Sequence, residues 1–365
     1  MRADVAIVGA GIAGASLAAE VAGEAKVLLL EAESQPGYHS TGRSAAFLSE
    51  TYGGPSIQPL TTASRPFLDD PPADFADRSF LSRRGALHIA DAGGEGALDH
   101  LREQFSPSVQ LEPLYRRELE RGLPTLREGW NYAIWEPSCA DIDVARLHQA
   151  YLNRARARGT ELATGARVRR AERRGELWRI ETSAGEFEAG IVVDAAGAWA
   201  DEVAAAAGVA PLGIRPFRRT IAQVRVDPPA PAELPLVIDA LGRFYFKPEA
   251  GGRLWLSPHD ETPCDPCDCA PEEIDVALAI DRLEGAIGWR VERVEHAWAG
   301  LRSFAPDRLP VYGFDPAVAG FFWCAGQGGF GIQTAPAAAS LAAALLLGRT
   351  PALDPEPYSP ARLRN

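Results

Sequence analysis

The sequence has little of what marks chains that bind nucleic acid, are secreted or span a membrane. Its 37 Lys and Arg face 49 Asp and Glu, and the net charge of −12 leaves no basic stripe to neutralise phosphates. Too little charge precedes the first apolar run for a signal peptide. The longest apolar stretch, near 335–347, is shorter than the roughly 20 residues that a spanning helix needs. We therefore expect a soluble, cytoplasmic protein with no nucleic-acid partner and no integral membrane segment, and peripheral membrane contact is left open.

Cysteine is scarce too, and three of the five cysteines fall in one short acidic segment. Cys264, Cys267 and Cys269 have spacings that suit a soft metal or a labile disulfide. Structural zinc usually takes four ligands, however, and no second pair of this spacing occurs in the chain. An acidic, proline-rich surface loop that tolerates cysteine is the simpler interpretation. We predict no metal site, and the role of the three cysteines is left open.

The strongest positive signal is a glycine-rich turn near the start of the chain. An apolar strand, 5–8, leads into Gly9, Gly11 and Gly14, and an alanine-rich helix is predicted over 12–21. In such a unit the first glycine permits the tight turn and the second lets a pyrophosphate approach the backbone. The third lets the helix and the strand pack closely. The pattern places an anion at the helix N-terminus, where free N–H groups and the helix dipole favour it.

A second strand completes this unit. It is predicted over 26–30 and ends on Glu31, about 20 residues after the first glycine, as the motif requires. The Glu31 carboxylate can accept hydrogen bonds from both ribose hydroxyls and would repel a 2′-phosphate. The unit therefore predicts an ADP-containing dinucleotide, and the choice between FAD and NAD depends on other segments.

Periodic segments further along the chain extend this unit into a larger doubly wound sheet. Asp143 is a typical N-cap for a helix predicted over 144–157, which Gly159 ends. The loop 326–331 holds four glycines, more than a turn needs, and suits close backbone approach to a flat ligand. Further strands are predicted at 162–168, 191–193 and 321–325, with further helices at 199–207 and 334–347.

The remaining stretches contain short predicted strands that prolines and turn residues separate. Examples of these strands are 86–90, 221–226 and 244–246. This pattern is typical of an antiparallel sheet. We predict the α/β class, with a discontinuous Rossmann-like dinucleotide-binding domain and an antiparallel-sheet (α+β) substrate domain threaded through it. The first domain is predicted over 1–79, 136–214 and 301–365, and the second over 80–135 and 215–300.

Four segments together resemble one family. They are the glycine unit with Glu31, the run 36–46, the run 298–304 and the run 327–333. Asp141-Ile142-Asp143 and Phe244-Tyr245 also fit. The chain resembles the FAD-dependent D-amino acid oxidase superfamily, and within it the bacterial FAD-dependent D-arginine (D-amino acid) dehydrogenases. The resemblance spans nearly the whole chain in the right order, and it implies FAD rather than NAD.

The resemblance also implies where the cofactor lies. The small residues of 41–46 can lie against a flavin ring without a side-chain clash. The glycine loop 328–331, followed by a helix, puts N–H groups near the flavin pyrimidine edge, where negative charge develops on reduction. The expected cofactor-side residues are Gly9, Gly11, Ile12, Ala13, Gly14, Glu31, Ser40, Thr41, Arg43, Ser44, Ala45, Ala46, Val168, Ala196, Gly197, Arg302, Gly328, Gly329, Gly331, Ile332 and Gln333.

Substrate binding is expected at a set of matching positions. Arg302 is the expected carboxylate clamp, because a guanidinium can grip a carboxylate with two parallel hydrogen bonds. Tyr245 and Tyr52 match family tyrosines on the carboxylate side, and Arg219 matches a further arginine nearby. Hydride transfer needs no protein nucleophile, because the flavin performs it and the protein orients the substrate.

Departures from the family pattern concern the substrate side chain. The D-arginine enzymes pair the substrate guanidinium with a glutamate, and the aligned residue here is Ala86. A family histidine is replaced by Phe47, next to Leu48, and Gly329 completes the expected pocket. Losing a buried carboxylate removes the main reason to prefer a cation, so a neutral, apolar or aromatic substrate is expected. Glu50 is a candidate substitute carboxylate.

The function expected is FAD-dependent oxidative deamination of a D-amino acid to an imino acid, which yields a 2-oxo acid and ammonia. D-specificity is implied by the resemblance alone. Alternatives are an oxidase or dehydrogenase of glycine, sarcosine or other secondary amines, and a non-catalytic flavoprotein subunit. The electron acceptor, quinone or O2, and the oligomeric state are left open.

Overall fold

A computed structural model describes residues 1–123 and 125–364. Positions 124 and 365, within the predicted ranges 80–135 and 301–365, lie outside the described residues. The helices are α1 (Ile12–Val21), α2 (Gln58–Asp69), α3 (Glu95–Phe105), α4 (Arg116–Gly122), α5 (Val144–Ala157), α6 (Ala200–Ala206), α7 (Glu273–Ala286) and α8 (Ala335–Leu346). The strands are β1 (Arg2–Val8), β2 (Val27–Leu30), β3 (Phe47–Leu48), β4 (Leu81–Arg83), β5 (Ala86–Ala90), β6 (Glu112–Tyr115), β7 (Tyr132–Glu136), β8 (Ala140–Ile142), β9 (Glu161–Ala163), β10 (Val168–Arg174), β11 (Leu177–Thr182), β12 (Gly185–Asp194), β13 (Arg215–Asp227), β14 (Leu236–Asp239), β15 (Tyr245–Glu249), β16 (Arg253–Ser257), β17 (Thr262–Pro263), β18 (Arg290–Phe304), β19 (Val311–Phe314), β20 (Phe321–Ala325) and β21 (Gln327–Gly328).

The first sheet is mixed and has a parallel centre. Its order is β10-β11-β12-β1-β2-β9, and β20 joins β12 and pairs with β19. β1 runs parallel to β2 and β12. Parallel pairing needs a long crossover connection, and the chain between these strands is long enough to provide one. Alternate residues of β1 pack into two separate cores, one on each face of the sheet. Val5 and Ile7 pack into the core that includes α1, α5 and α8, and Ala6 and Val8 pack into the core that includes α6. Burial on both faces explains the nearly unbroken apolar strands of the sequence.

The second sheet is largely antiparallel. Its order is β21-β18-β13-β16-β15-β14-β5-β7-β6, with β17 paired to β13, and only β14 and β5 pair in parallel among its described strands. One face buries an apolar core beneath α7. The two sheets match the predicted α/β class with an antiparallel second unit. The domain limits stay a prediction, and β18 runs across the limit predicted between 300 and 301.

Several local predictions agree with the structure, and one is wrong. The helices predicted over 12–21 and 144–157 and the strands predicted over 86–90 and 321–325 have those bounds. The strand predicted over 162–168 does not form: β9 ends at Ala163 and β10 begins at Val168. Gly165 between them has φ +62°, a left-handed turn that redirects the chain from a parallel strand into an outer hairpin. No helix among the described residues is long and apolar enough to cross a membrane.

Candidate cofactor and substrate site

A cavity of about 380 Å³ lies at the carboxyl ends of β1, β2 and β12. In open α/β sheets this edge is where ligands bind. Sixteen of the predicted cofactor-side residues line it, thirteen from the four segments that carry the family resemblance and three from elsewhere in the chain. They are Gly9, Gly11, Ile12, Ala13, Glu31, Ser40, Thr41, Ser44, Val168, Ala196, Gly197, Arg302, Gly328, Gly329, Gly331 and Ile332.

The glycine turn has the close packing that its sequence predicts. Gly9 has φ +102°, and a Cβ there would overlap the carbonyl oxygen of Ala195. A Cβ on Gly14 would overlap the carbonyl oxygen of Gly9, so this glycine lets α1 pack against the turn. Gly11 caps α1 without a side chain, and the first turn carries no acidic residue. The helix N-terminus is thus available to an anion in the cavity.

Glu31 is held rigidly at the cavity wall. Its Oε2 accepts a hydrogen bond from the Ala10 N–H and its Oε1 accepts one from the Glu33 N–H, both at 2.9 Å. The carboxylate is 8% exposed, and each oxygen keeps a further lone pair for a ligand. This arrangement fits the ribose contact predicted for Glu31. The cavity wall therefore suits the ADP part of FAD at both its ribose and its pyrophosphate.

Five predicted cofactor-side residues do not line the cavity: Gly14, Arg43, Ala45, Ala46 and Gln333. Arg43 points to another loop, where it pairs with Asp268 and donates to the Cys269 carbonyl at 3.1 Å. Ala45 is buried in an apolar cluster with Tyr245, and Ala46 takes φ +47°. These residues lie within or beside the matching motifs, and their role on the cofactor side stays a prediction.

Gln333 stabilises the segment that carries Tyr52. Its Oε1 accepts a hydrogen bond from the Ser49 N–H at 3.2 Å, and its Nε2 donates to the Tyr52 carbonyl at 3.1 Å. Its Nε2 also donates to Thr61 Oγ1 at 2.9 Å. Gln333 therefore links the glycine loop to the substrate side of the cavity.

Arg302 is a buried arginine at the edge of the cavity. It is 7% exposed, and its Nη1 donates a long hydrogen bond, 3.5 Å, to the carbonyl of Leu301. No carboxylate in the described part of the chain forms an ion pair with it. Burial and the neighbouring Arg219 lower the pKa of Arg302, since both disfavour the cation. A buried guanidinium at the cavity edge is suited to bind a carboxylate from outside the chain.

Arg219 is already paired. Its Nε donates to the Asp260 carbonyl at 2.7 Å and its Nη2 lies 3.1 Å from Glu261 Oε1. Its Nη1 donates to Tyr52 Oη at 3.3 Å. In the pairing of β13 with β18, Phe217 lies directly opposite Arg302 and therefore shares its face of the sheet. Arg219 is two residues from Phe217 on the same strand, so both arginines lie on that face. Arg219 therefore orients Tyr52 and adds positive charge beside Arg302.

Aromatic rings surround the space next to Arg302. Phe47 lies 5.2 Å from the ring of Tyr52 and 5.9 Å from that of Tyr245, measured between centroids. The ring of Phe330 is 5.4 Å from Tyr52. A Cβ on Gly329 would come within 2.9 Å of Tyr52 Oη, so the glycine leaves room for the phenol. The predicted residues Phe47, Tyr52, Tyr245 and Gly329 thus come together.

His259 was missed by sequence reasoning. Its ring lies 5.5 Å from Tyr245 and 6.2 Å from Tyr52. Burial, reinforced by Arg219, lowers its pKa to about 3, although the Gly242 backbone offsets part of this. The imidazole is therefore neutral at ordinary pH. The sequence around it offers no motif, because the contact depends on the turn after β16.

Glu136 was missed as well, and it lies directly opposite Ala86 on the neighbouring strand. Its Oε2 accepts from Thr51 Oγ1 at 2.7 Å and from Ser49 Oγ at 3.0 Å, and lies 3.0 Å from His88 Nε2. Its Oε1 accepts the Glu50 N–H at 2.7 Å. Burial raises the pKa of Glu136, but these hydrogen bonds, led by His88, lower it overall. Three of these contacts fall on Oε2 and one on Oε1, so both oxygens already have partners within the chain.

Glu50, the candidate substitute carboxylate, is directed elsewhere. Its Oε1 accepts a hydrogen bond from Thr62 on α2. Ala86 is buried with Ala45 and Tyr245 in an apolar cluster that Phe47 and two tryptophans flank. The side-chain part of the site is therefore apolar and aromatic.

These groups can hold a small carboxylate against a flat cofactor. Arg302 provides the charge, Tyr52 and Tyr245 provide hydroxyls, and the aromatic rings exclude water. FAD supplies the hydride acceptor when it is bound.

Known proteins share both the sequence pattern and the fold. The family model described as FAD dependent oxidoreductase matches residues 4–345. Glycine oxidase of Pseudomonas aeruginosa is 28% identical, over 99% of each chain. The structure of glycine oxidase from Geobacillus kaustophilus superposes with a TM-score of 0.85 at 25% identity, covering 98% of each chain. L-proline dehydrogenase from P. horikoshii has the same fold, with a TM-score of 0.86 at 21% identity, covering 100% of this chain and 98% of that one. The chain belongs to the FAD dependent oxidoreductase family, and its cofactor is FAD.

Proposed function

We propose that the protein oxidises the amino group of a neutral α-amino acid to an imino acid, which water then converts to a 2-oxo acid and ammonia. The observation that carries this proposal is Arg302, a buried guanidinium at the edge of the cofactor cavity that has no acidic partner within 1–123 and 125–364. A carboxylate bound there lies beside Tyr52 and Tyr245, which offer hydroxyl donors. The α-carbon next to that carboxylate is then close to the flavin side of the cavity.

A neutral substrate side chain is favoured by the surroundings of Ala86. The cluster around it is apolar, and the nearest carboxylate across the strand pair, Glu136, already accepts several hydrogen bonds. A cationic side chain would be desolvated there without a free partner, which is costly. The narrower resemblance to D-arginine dehydrogenases and the preference for a D-amino acid both stay predictions.

A second candidate is oxidation of glycine, sarcosine or another secondary amine. Two relatives that match 98–99% of the chain are named glycine oxidase. The rings of Phe47, Tyr52, Tyr245 and His259 crowd the same space, which suits a small substrate as well as an apolar one. Both candidates use the same carboxylate clamp at Arg302.

The deciding experiment is anaerobic reduction of the bound flavin, followed by its absorbance, with a panel of substrates. The panel contains apolar D-amino acids, their L-isomers, glycine, sarcosine, proline and D-arginine. We expect the apolar D-amino acids to react fastest and D-arginine slowly. Fast reaction with glycine or secondary amines alone would select the second candidate, and D-arginine as the best substrate would overturn the neutral assignment. Reduction by dithionite but by no amine would indicate a non-catalytic flavoprotein.

The electron acceptor needs a separate measurement on the same holoenzyme. Consumption of O2 is compared with reduction of a quinone or an artificial dye, at equal substrate concentration. A large excess of dye reduction over O2 consumption identifies a dehydrogenase, and equal rates identify an oxidase.

A further inference from the structure

The cysteine loop, residues 263–269, lies outside the cofactor cavity but touches its wall. The Cys264 N–H donates to the Pro216 carbonyl at 3.1 Å, which fixes the start of the loop on β13. Cys264 and Cys269 pack in one apolar cluster with Ala198 and Leu301. Ala198 and Leu301 both line the cavity. A change in this loop is therefore adjacent to the cofactor wall.

Two thiols of the loop lie close together. The Sγ atoms of Cys264 and Cys267 are 3.5 Å apart, and all five cysteines of the described chain are free thiols. Cys267 is exposed, whereas Cys269 is buried and its carbonyl is bonded to Arg43. No group of three or more Cys, His, Asp or Glu within 1–123 and 125–364 has the arrangement of a metal site. The pair is thus arranged for a bond between two sulfurs.

We propose that Cys264 and Cys267 form an oxidation site that takes a peroxide and closes to a disulfide. The exposed Cys267 thiol loses its proton and its sulfur attacks a peroxide oxygen. The O–O bond breaks, a sulfenic acid forms, and the departing hydroxide takes up the thiol proton and leaves as water. The Cys264 sulfur then attacks the sulfenic sulfur, the S–O bond breaks, and a second water leaves with the thiol proton. Two thiols lose two electrons and two protons, and one hydrogen peroxide becomes two waters.

The disulfide acts on the cavity through Asp268, which contacts a segment of the cavity wall. Asp268, next to Cys267, forms an ion pair with Arg43 and accepts a hydrogen bond from Tyr38 Oη at 2.9 Å. Tyr38 and the residues that follow it line the cavity. A movement of the segment with Tyr38 and Arg43 away from the cysteine loop would break both contacts of Asp268. A disulfide restricts the chain before Asp268, so oxidation slows the release of FAD.

The first readout is the oxidation state of each cysteine in the intact holoenzyme. The protein is treated with hydrogen peroxide, alkylated while denaturing, digested and examined by mass spectrometry. We expect the peptide with Cys264 and Cys267 to lose two hydrogens, while Cys139, Cys269 and Cys324 are alkylated. A bond to Cys269, or over-oxidation of Cys267 without a bond, overturns the proposal.

The second readout is the rate of FAD release, followed by the rise of free flavin fluorescence after dilution. Release from the oxidised holoenzyme should be about three- to twentyfold slower than from the reduced one. The upper value is the factor that corresponds to the entropy lost when a loop of about four residues is closed. Cys264→Ser and Cys267→Ser should remove the response to peroxide, and Cys324→Ser should keep it. Asp268→Asn should still form the disulfide but lose the slowing. Disulfide formation with unchanged FAD release overturns the link to the cofactor.

Discussion

At the scale of single residues, two arginines on one sheet face differ in their partners, and the proposed substrate chemistry depends on that difference. Arg219 is held by Asp260, Glu261 and Tyr52, whereas Arg302 has no acidic partner in the described chain. Burying a guanidinium without a partner costs folding free energy, which a bound carboxylate would offset. Arg302 is therefore the residue whose environment is incomplete without a ligand.

Replacing Arg302 by lysine tests this directly. Lysine keeps the charge but loses the two parallel hydrogen bonds, so we expect kcat/KM for the best amino acid to fall about 100-fold, or roughly 3 kcal/mol. Steady-state kinetics and flavin content are measured together. Arg308→Lys, a half-exposed arginine paired with Glu261, is the control and should change little. An unchanged kcat/KM in Arg302→Lys would contradict the clamp.

The strand pair at Ala86 makes a second prediction at this scale. Ala86→Glu would put a carboxylate directly opposite Glu136 in a fully buried position. We expect a loss of about 2–4 kcal/mol in the free energy of unfolding and no gain in activity on D-arginine. Urea unfolding and D-arginine kinetics measure both. Ala86→Gln introduces a side chain of the same size as glutamate without its charge, so it separates the effect of charge from that of size. A stable Ala86→Glu enzyme that is active on D-arginine would refute this account.

At the scale of elements, the glycine turn couples α1 to β1. A Cβ on Gly14 would overlap the Gly9 carbonyl oxygen and lie 3.2 Å from Ile7 Cγ2. Both neighbours are fixed, because Gly9 and Ile7 belong to the central strand and its turn. The helix would have to move away from the sheet, and its N-terminus would move away from the position predicted for the pyrophosphate.

Gly14→Ala should therefore lower the free energy of unfolding by about 2 kcal/mol or more, and weaken FAD binding as well. Gly96→Ala is the matched control, since Gly96 also lies within a helix but a Cβ there would meet nothing within 4 Å. That change should be neutral or stabilising by up to about 1 kcal/mol. Thermal midpoints of both apoproteins and holoproteins give the comparison. Equal behaviour of the two variants would show that the close packing at Gly14 is unimportant.

At the scale of the whole molecule, pH acts through a buried imidazole. The pKa of His259 is lowered from its ordinary 6.5 to about 3 in the folded protein. Between these values the unfolded chain binds a proton that the folded chain does not, so stability falls as pH falls through that window. Above pH 6.5 both states are neutral at His259, and the effect vanishes.

His259→Gln removes this titration. Between pH 7 and pH 5 the wild-type protein should lose about 1–2 kcal/mol more stability than the variant, from about 1.4 kcal/mol per unit of pH below 6.5. Urea unfolding at the two pH values measures the difference. The exposed His100→Gln is the control for losing one imidazole. An identical pH dependence of wild type and His259→Gln would show that the imidazole is not buried as neutral.

The sequence alone determined the class of fold and the cofactor, and it predicts the residues around the pyrophosphate and the ribose. The choice of FAD depended on motifs spread along the chain, whereas the dinucleotide unit is local. In that unit a strand, a glycine turn and a helix specify one another over about 30 residues, and the carboxylate of Glu31 follows at a fixed distance. Such a pattern can be recognised in a short segment without knowledge of the rest of the chain. Arg302, Tyr52 and Tyr245 were likewise predicted, because the motifs around them match a family.

Only the tertiary structure decided what these residues face. It showed that Arg302 has no acidic partner among the described residues while Arg219 is paired, and that Glu136 lies opposite Ala86. It also directed Arg43 to the cysteine loop and His259 to the aromatic rings. These contacts join positions far apart in the chain through strand register and loop packing. Sequence spacing carries no information about such register, because a shift of one residue would turn every side chain to the other face.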